Sequence, residues 1–241
     1  MKKHLPNLFT CLNLFTGCIA VVMVFRNHLD WAAYLIFIAA FFDLLDGLTA
    51  RMMNLFSPFG KELDSLADMI SFGFIPGAIM FKLFQQSDFM SWPVPHSVLR
   101  LIQFAPFILT VFSALRLAKF NLDTRQTSSF IGLPTPANTL LIVSLPLIIM
   151  QSDHADGLLL LNPFFLLILT GILSFLLVSE IPMFSLKAKS LKWKGNELRF
   201  TFLGLFFLLL VLLNITAFPL ILLIYIIWSA ISSFSAKKPL S

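Results

Sequence analysis

Charge is what this chain has least of. Only 12% of its 241 residues are Asp, Glu, Lys or Arg, against 58% hydrophobic, and the mean hydropathy is +0.90. That balance excludes an ordinary soluble globular domain and indicates a polytopic membrane protein. Cysteine is nearly absent: Cys11 and Cys18 are the whole complement, seven residues apart in one apolar run. They are too far apart to bridge, so they read as two small buried apolar residues, with no disulfide framework. The histidines, His4, His28, His96 and His154, are dispersed without shared helical spacing, which argues against a zinc site or a histidine relay. No internal repeat, low-complexity tract or separate soluble domain stands out, so residues 1–241 read as one integral-membrane domain. The net charge of +5 is scattered among loops, which argues against nucleic acid as a partner.

What fills the chain is a series of apolar runs. They are expected to be helices at Leu8 to Phe25, Trp31 to Met53, Pro58 to Phe84, Ser97 to Phe120, Pro136 to Met150, Leu158 to Val178, Phe200 to Phe218 and Pro219 to Phe234. The fold class is therefore all-α, a transmembrane bundle of about eight spans, with the fifth short for ~30 Å of hydrocarbon. Lys2 and Lys3 precede the first run, but no small-residue cleavage site follows, so that run is expected to be retained. If the spans alternate, Lys2, Lys3, Arg51, Lys61, Arg116, Lys119, Arg125, the lysines at 187, 189, 192 and 194, Arg199, Lys237 and Lys238 share one side. Arg26, Lys82 and Arg100 fall on the other, with Asp30, Asp88, Asp153 and Asp156. The positive-inside rule then puts both termini and the 43–68 hairpin turn in the cytoplasm. Ser185 to Leu198, with its lysines around Trp193, reads as a solvated loop that sets this topology.

Against this background Asp43, Asp46, Asp64 and Asp68 stand out, beside or within membrane-spanning segments. An ionised carboxylate there costs several kcal/mol unless something neutralises it. Arg51 and Lys61 are too few to do so, while two divalent cations would balance four carboxylates, and hard oxygen donors suit Mg²⁺ or Mn²⁺ better than zinc. Asp43 and Asp46 are three residues apart and Asp64 and Asp68 four, so each pair shares one helical face. Between them, Ser57 and Pro58 form an N-cap and first-turn signal, making an antiparallel hairpin in which all four carboxylates meet in one layer. Gly47, Ala50 and Gly60 leave room for a bulky ligand, and Arg51 is a planar donor for phosphate oxygens. Glu62 is expected to point away from this face.

The whole pattern, D-x2-D-G-x2-A-R-x8-G-x3-D-x3-D, resembles that of the CDP-alcohol phosphotransferases at every fixed position: Asp43, Asp46, Gly47, Ala50, Arg51, Gly60, Asp64 and Asp68. The resemblance implies that Asp43, Asp46 and Asp64 are principal metal ligands, with Asp68 as general base and a contributor to the second metal. It implies that Gly47, Ala50, Arg51 and Ser57 surround the CDP group, with Asn7 and Thr10 at the cytidine end. It also implies a homodimer.

Further blocks are similar to bacterial integral-membrane members of the family that use serine as acceptor: Leu5 to Thr10, Ser71 to Gly77, Arg116 to Asn121, Gly132 to Ala137 and Ile181 to Ser185. The implied reaction joins CDP-diacylglycerol and L-serine into phosphatidylserine and CMP, in a bacterial inner membrane whose lipid surrounds the protein, with the site facing the cytoplasm. Arg116 is the candidate partner for the serine carboxylate, with topogenic anchoring as the competing role. The signature leaves the acceptor open, so glycerol 3-phosphate or an inositol phosphate remains an alternative. Intramembrane carboxylates also mark ion pathways, which keeps a transporter in view.

Overall fold

The computed structural model describes residues 4–55, 57–93, 95–123, 129–152, 157, 159–184 and 197–236, and is mostly helical. Helix α1 (Leu5–Phe25) reverses into α2 (Leu29–Met52) through Asn27, whose φ of 64° lies in the left-handed region that Asn tolerates better than most residues. A second such asparagine, Asn54 at φ 51°, ends α2. Ser57 then caps α3 (Pro58–Asp68): it is extended, and its Oγ accepts from the Gly60 amide at 3.0 Å, with Pro58 filling the first helical position.

Directly after Asp68 the helix widens into a π turn (Met69–Phe74) before continuing as α4 (Ile75–Gln86). The next stretch is a broken helix, α5 (His96–Ile102) and α6 (Ile108–Leu122), joined by a 3₁₀ turn at Ala105–Phe107 that contains Pro106. Helices α7 (Thr135–Gln151) and α8 (Pro163–Val178) follow, and then α9 (Glu197–Leu213) and α10 (Ala217–Ala236) meet across a 3₁₀ turn at Asn214–Thr216.

The expected apolar runs are thus mainly helical, and among the described residues five stretches are long and apolar enough to cross a membrane: Leu5–Phe25, Leu29–Met52, Pro58–Gln86, His96–Leu122 and Phe200–Ser229. The last contains parts of both final expected spans. Helices α7 and α8, of 17 and 16 residues, rise about 25 Å at ~1.5 Å per residue and fall short of the ~30 Å hydrocarbon layer. Cys11 and Cys18 are exposed on α1, not buried, in keeping with an outer face that lipid would cover. The lysine-rich segment 185–196, both extreme termini and the loop acids Asp153 and Asp156 lie outside the described residues.

An all-helical expectation missed one feature. Strands β1 (Ser129–Ile131) and β2 (Pro182–Phe184) pair antiparallel, with Phe130 opposite Met183. They are too short for hydrophobic alternation to reveal. The ladder joins two sequence blocks about fifty residues apart, and the Gly132 amide extends it by donating to Ile181 O at 2.9 Å. The core lies among α1, α2, the π turn, α4 and α7, where Ile36, Phe72, Phe84 and Ile142 have no exposed surface.

Gly132 has φ +77°, and a Cβ placed on it would lie 2.7 Å from Leu177 O and 2.9 Å from Ser179 O. Both effects require glycine where the chain turns into α7. Gly132→Ala is expected to destabilise the protein by about 1–3 kcal/mol. Thermal unfolding in detergent checks this, with an unchanged midpoint counting against the strain.

Candidate active site

Helices α2 and α3 carry the four aspartates, yet they make few direct contacts with each other; α1 packs against both. Asp43, Asp64 and Asp68 converge, each offering an oxygen within 4.8 Å of the others. Asp46 stands beside this group, within electrostatic reach of both Asp64 and Asp68. Two side chains of α1, one turn apart, hold the arrangement. Thr10 Oγ1 donates to Asp46 Oδ2 at 2.7 Å, and Asn13 Nδ2 donates to Asp68 Oδ1 at 3.2 Å.

Could this cluster hold a metal? Its donor chemistry fits. Three carboxylates converge on one small volume at the edge of the apolar core, with Arg116 as a nearby cation but not enough positive charge to balance the acids. A hard divalent cation meets that demand. Asp43, Asp64 and Asp68 are the residues that would hold it, with Asp46 beside them.

Beside the acids opens a cleft of about 820 Å³, within the size range of small-molecule sites. All six residues expected around CDP, Asn7, Thr10, Gly47, Ala50, Arg51 and Ser57, line it, together with Asp46 and Asp64. Gly60 permits the close approach of its walls: a Cβ there would sit 3.0 Å from Ser57 Oγ and 3.1 Å from Asn7 Oδ1. Glu62, expected to face away, also lines the cleft and is exposed at its edge. Lys61 Nζ donates to Asn121 O at 2.9 Å, and Asn121 Nδ2 donates to Ser65 Oγ at 2.7 Å. These bonds tie α3 to α6.

Arg116 on α6 is not part of that cleft. It is 7% exposed, its Cζ lies 5.0 Å from the centre of the Phe120 ring, and its guanidinium is within electrostatic reach of Asp68. It therefore lies toward the Asp68 end of the acid cluster, away from the wall built by Arg51. Lys119, one position from the next turn, is instead paired with Glu180 at 3.3 Å on the surface, where such a pair contributes little stability.

Sequence reasoning missed three buried polar groups. Asn13 is fully buried, and its spacing from Thr10 was a readable sign that α1 has one polar stripe. Asn138, also fully buried, has neither amide atom hydrogen-bonded among the described residues, while Thr139 Oγ1 donates to Phe72 O in the π turn. Tyr225, buried on α10, lies within electrostatic reach of Arg116.

A family model described as CDP-alcohol phosphatidyltransferase matches residues 3–181. The chain belongs to that family. Among named relatives, a Helicobacter pylori CDP-diacylglycerol–serine O-phosphatidyltransferase is 35% identical over 140 residues, covering 57% of this chain and 55% of the relative. A Bacillus subtilis protein of the same name is 29% identical over 186 residues, covering 74% and 89%. A Mycobacterium tuberculosis one is 33% identical over 193 residues, covering 77% and 63%. The chain thus spans about half the length of the Helicobacter relative and most of the Bacillus one.

If the acid cluster is a family metal site, Asp64→Asn, with its nearly unchanged shape, is expected to weaken Mn²⁺ binding by one to two orders of magnitude, about the scale seen when a metal site loses a supporting group. Mn²⁺ titration followed by electron paramagnetic resonance reads this directly. Wild-type affinity in folded variant protein would remove Asp64 from the site.

Proposed function

We propose that this protein transfers the phosphatidyl group of CDP-diacylglycerol to the hydroxyl of L-serine, giving phosphatidylserine and CMP. The names of the relatives support the reaction. The observation that carries it for this chain is the position of Asp68, a member of the acid cluster that also lies within reach of the buried Arg116. A serine with its carboxylate on Arg116 would have its hydroxyl, a few bonds away, next to the Asp68 carboxylate.

On this reading the CDP group occupies the cleft between α1, α2 and the start of α3. Arg51 and the Ser57 hydroxyl meet phosphate oxygens, and Asn7 and Thr10 lie toward the cytidine. Divalent cations, Mg²⁺ or Mn²⁺, held by Asp43, Asp46, Asp64 and Asp68 would neutralise charge on the pyrophosphate and on departing CMP. Asp68 takes the proton from the serine hydroxyl. The serine oxygen bonds to the phosphorus nearest the lipid, and the bond from that phosphorus to the bridging oxygen breaks. CMP leaves with the electron pair. Arg116 fixes the acceptor by its carboxylate, and its burial against Phe120 keeps water from competing for the guanidinium.

The charge distribution of the loops supports a membrane orientation with both termini and the site on the cytoplasmic side, where serine and CMP are soluble. A bacterial inner membrane suits the bacterial relatives. We extend the reading to a homodimer, consistent with exposed apolar side chains such as Phe164, Ile168 and Phe175 along α8.

Purified protein supplied with CDP-diacylglycerol and Mg²⁺ or Mn²⁺ is expected to release CMP with L-serine, and not with glycerol 3-phosphate or an inositol phosphate. Release with a phosphorylated acceptor instead would keep the site and change the acceptor; metal-dependent ion flux without any release would favour a transporter. Asp68→Asn is expected to reduce turnover by about 10²-fold or more, the scale of general-base catalysis, while CDP binding persists. Near-normal turnover would exclude Asp68 as the base.

A further inference from the structure

At the end of α1 remote from the acids, where the chain turns into α2, a groove of about 390 Å³ is lined by Ile19, Met23, Arg26, His28, Trp31 and Leu35. Its volume is within the range of small-molecule sites. Nearly all of α1, about 28 Å at ~1.5 Å per residue, separates Arg26 from Asn7 in the cleft, so the groove opens at the other end of the hairpin. None of its lining residues belongs to the acid cluster or to the cleft.

The turn that shapes this groove is firmly built. The His28 amide donates to Met23 O at 2.9 Å and the Arg26 amide to Val22 O at 3.0 Å. Asn27, in the left-handed region, accepts at its Oδ1 from Gln86 Nε2 of α4 at 3.1 Å. The rim is polar and open: Arg26, His28 and Trp31 are all exposed, and Trp31 meets Tyr34 edge to face with centroids 6.4 Å apart. Amphipathic rings of this kind favour the surface of a bilayer. The floor is apolar. Ile19 lies two turns before Arg26 and Leu35 one turn after Trp31, half-buried with Met23, so this lining reaches roughly 10 Å from the turn toward the hydrocarbon. No acid lines the groove; Asp30 stands outside it in the first turn of α2, where a helix N-terminus favours negative charge. Arg26 makes no ion pair among the described residues. A cationic rim above an apolar floor is complementary to a molecule with an anionic head and a hydrocarbon tail. A soluble anion would leave the floor unfilled, and an apolar peptide would leave the guanidinium without a counter-charge.

We infer that this groove binds an anionic glycerophospholipid of the leaflet opposite the cleft, with its phosphate on Arg26 and the His28 ring N–H and an acyl chain along Ile19, Met23 and Leu35. The inference rests on the membrane-spanning character of α1 and α2. It goes beyond the transfer reaction, because a lipid held there lies the length of α1 from the acids and is not their substrate.

Native mass spectrometry of the purified protein in a neutral detergent, titrated with dioleoyl phosphatidylglycerol, counts bound lipid and gives its affinity. The protein is expected to retain one such lipid more tightly than dioleoyl phosphatidylcholine, which has the same tails and no net charge. Arg26→Gln is expected to weaken that binding about fivefold, the contribution of one basic residue beside an anionic lipid surface. Arg100→Gln, which removes an exposed cation of α5 outside the groove, should leave it unchanged. Glycerophosphoglycerol, the same headgroup without tails, should not compete. Equal losses in both variants, or none in either, would show lipid that merely solvates the helices and would overturn the inference. Equal retention of phosphatidylcholine would remove the anionic head from it, and competition by glycerophosphoglycerol would remove the lipid. Loss of the lipid on dimerisation would assign the groove to a second copy of the chain, which also overturns it. No step of this test depends on turnover, so its result stands apart from that of the transfer reaction.

Discussion

The convergence of four carboxylates set between apolar helices is the constraint on which the rest of this structure depends. Helices α2 and α3 bring Asp43, Asp64 and Asp68 within 4.8 Å of one another, with Asp46 beside them, in a medium where charge is weakly screened. The fold braces both helices against α1, which donates a hydrogen bond to an acid of each: Thr10 to Asp46 and Asn13 to Asp68. The space left between the arms is the cleft. Asp46 and Asp64 belong to both the acid group and the wall of that cleft.

The π turn that follows Asp68 belongs to the same logic. Widening the helix at Met69–Phe74 changes the rotational register of everything beyond, so α4 can bury Ile75, Ile79 and Phe84 in the core while the turn before it aims acids at the cleft. A regular helix would carry the face of Asp64 and Asp68 on to Ile75 and Ile79. Here the chain changes face at the residue where the site ends.

Much of this was legible in the sequence because it follows from local spacing. The intervals between the aspartates, the Ser57–Pro58 start of α3 and the small residues at Gly47, Ala50 and Gly60 each act within a helical turn or two, and the residues expected around CDP do line one cleft. What stayed hidden depends on distant segments. Nothing in the run around Tyr225 says that it will reach Arg116, more than a hundred residues earlier. The separation of α2 from α3 is invisible to a helical wheel, which describes one helix at a time. The β1–β2 ladder, three residues a side, offers no periodicity to detect. The coarser span count has a plainer reason: among the described residues α7 and α8 are apolar but short, and the last two segments fall within a single apolar stretch.

The bonds between α3 and α6 have one more consequence. Lys61 and Ser65 engage Asn121 from the helix that carries Asp64 and Asp68, while Asn121 lies on the helix that carries Arg116. The interval between Asp68 and Arg116 is therefore braced by bonds outside the site. On the proposed reading the protein works as a gauge: an acceptor is judged by the length between its hydroxyl and its anionic end, as well as by its charge. Homologues of serine lengthened by one methylene would present the same two groups and miss the interval.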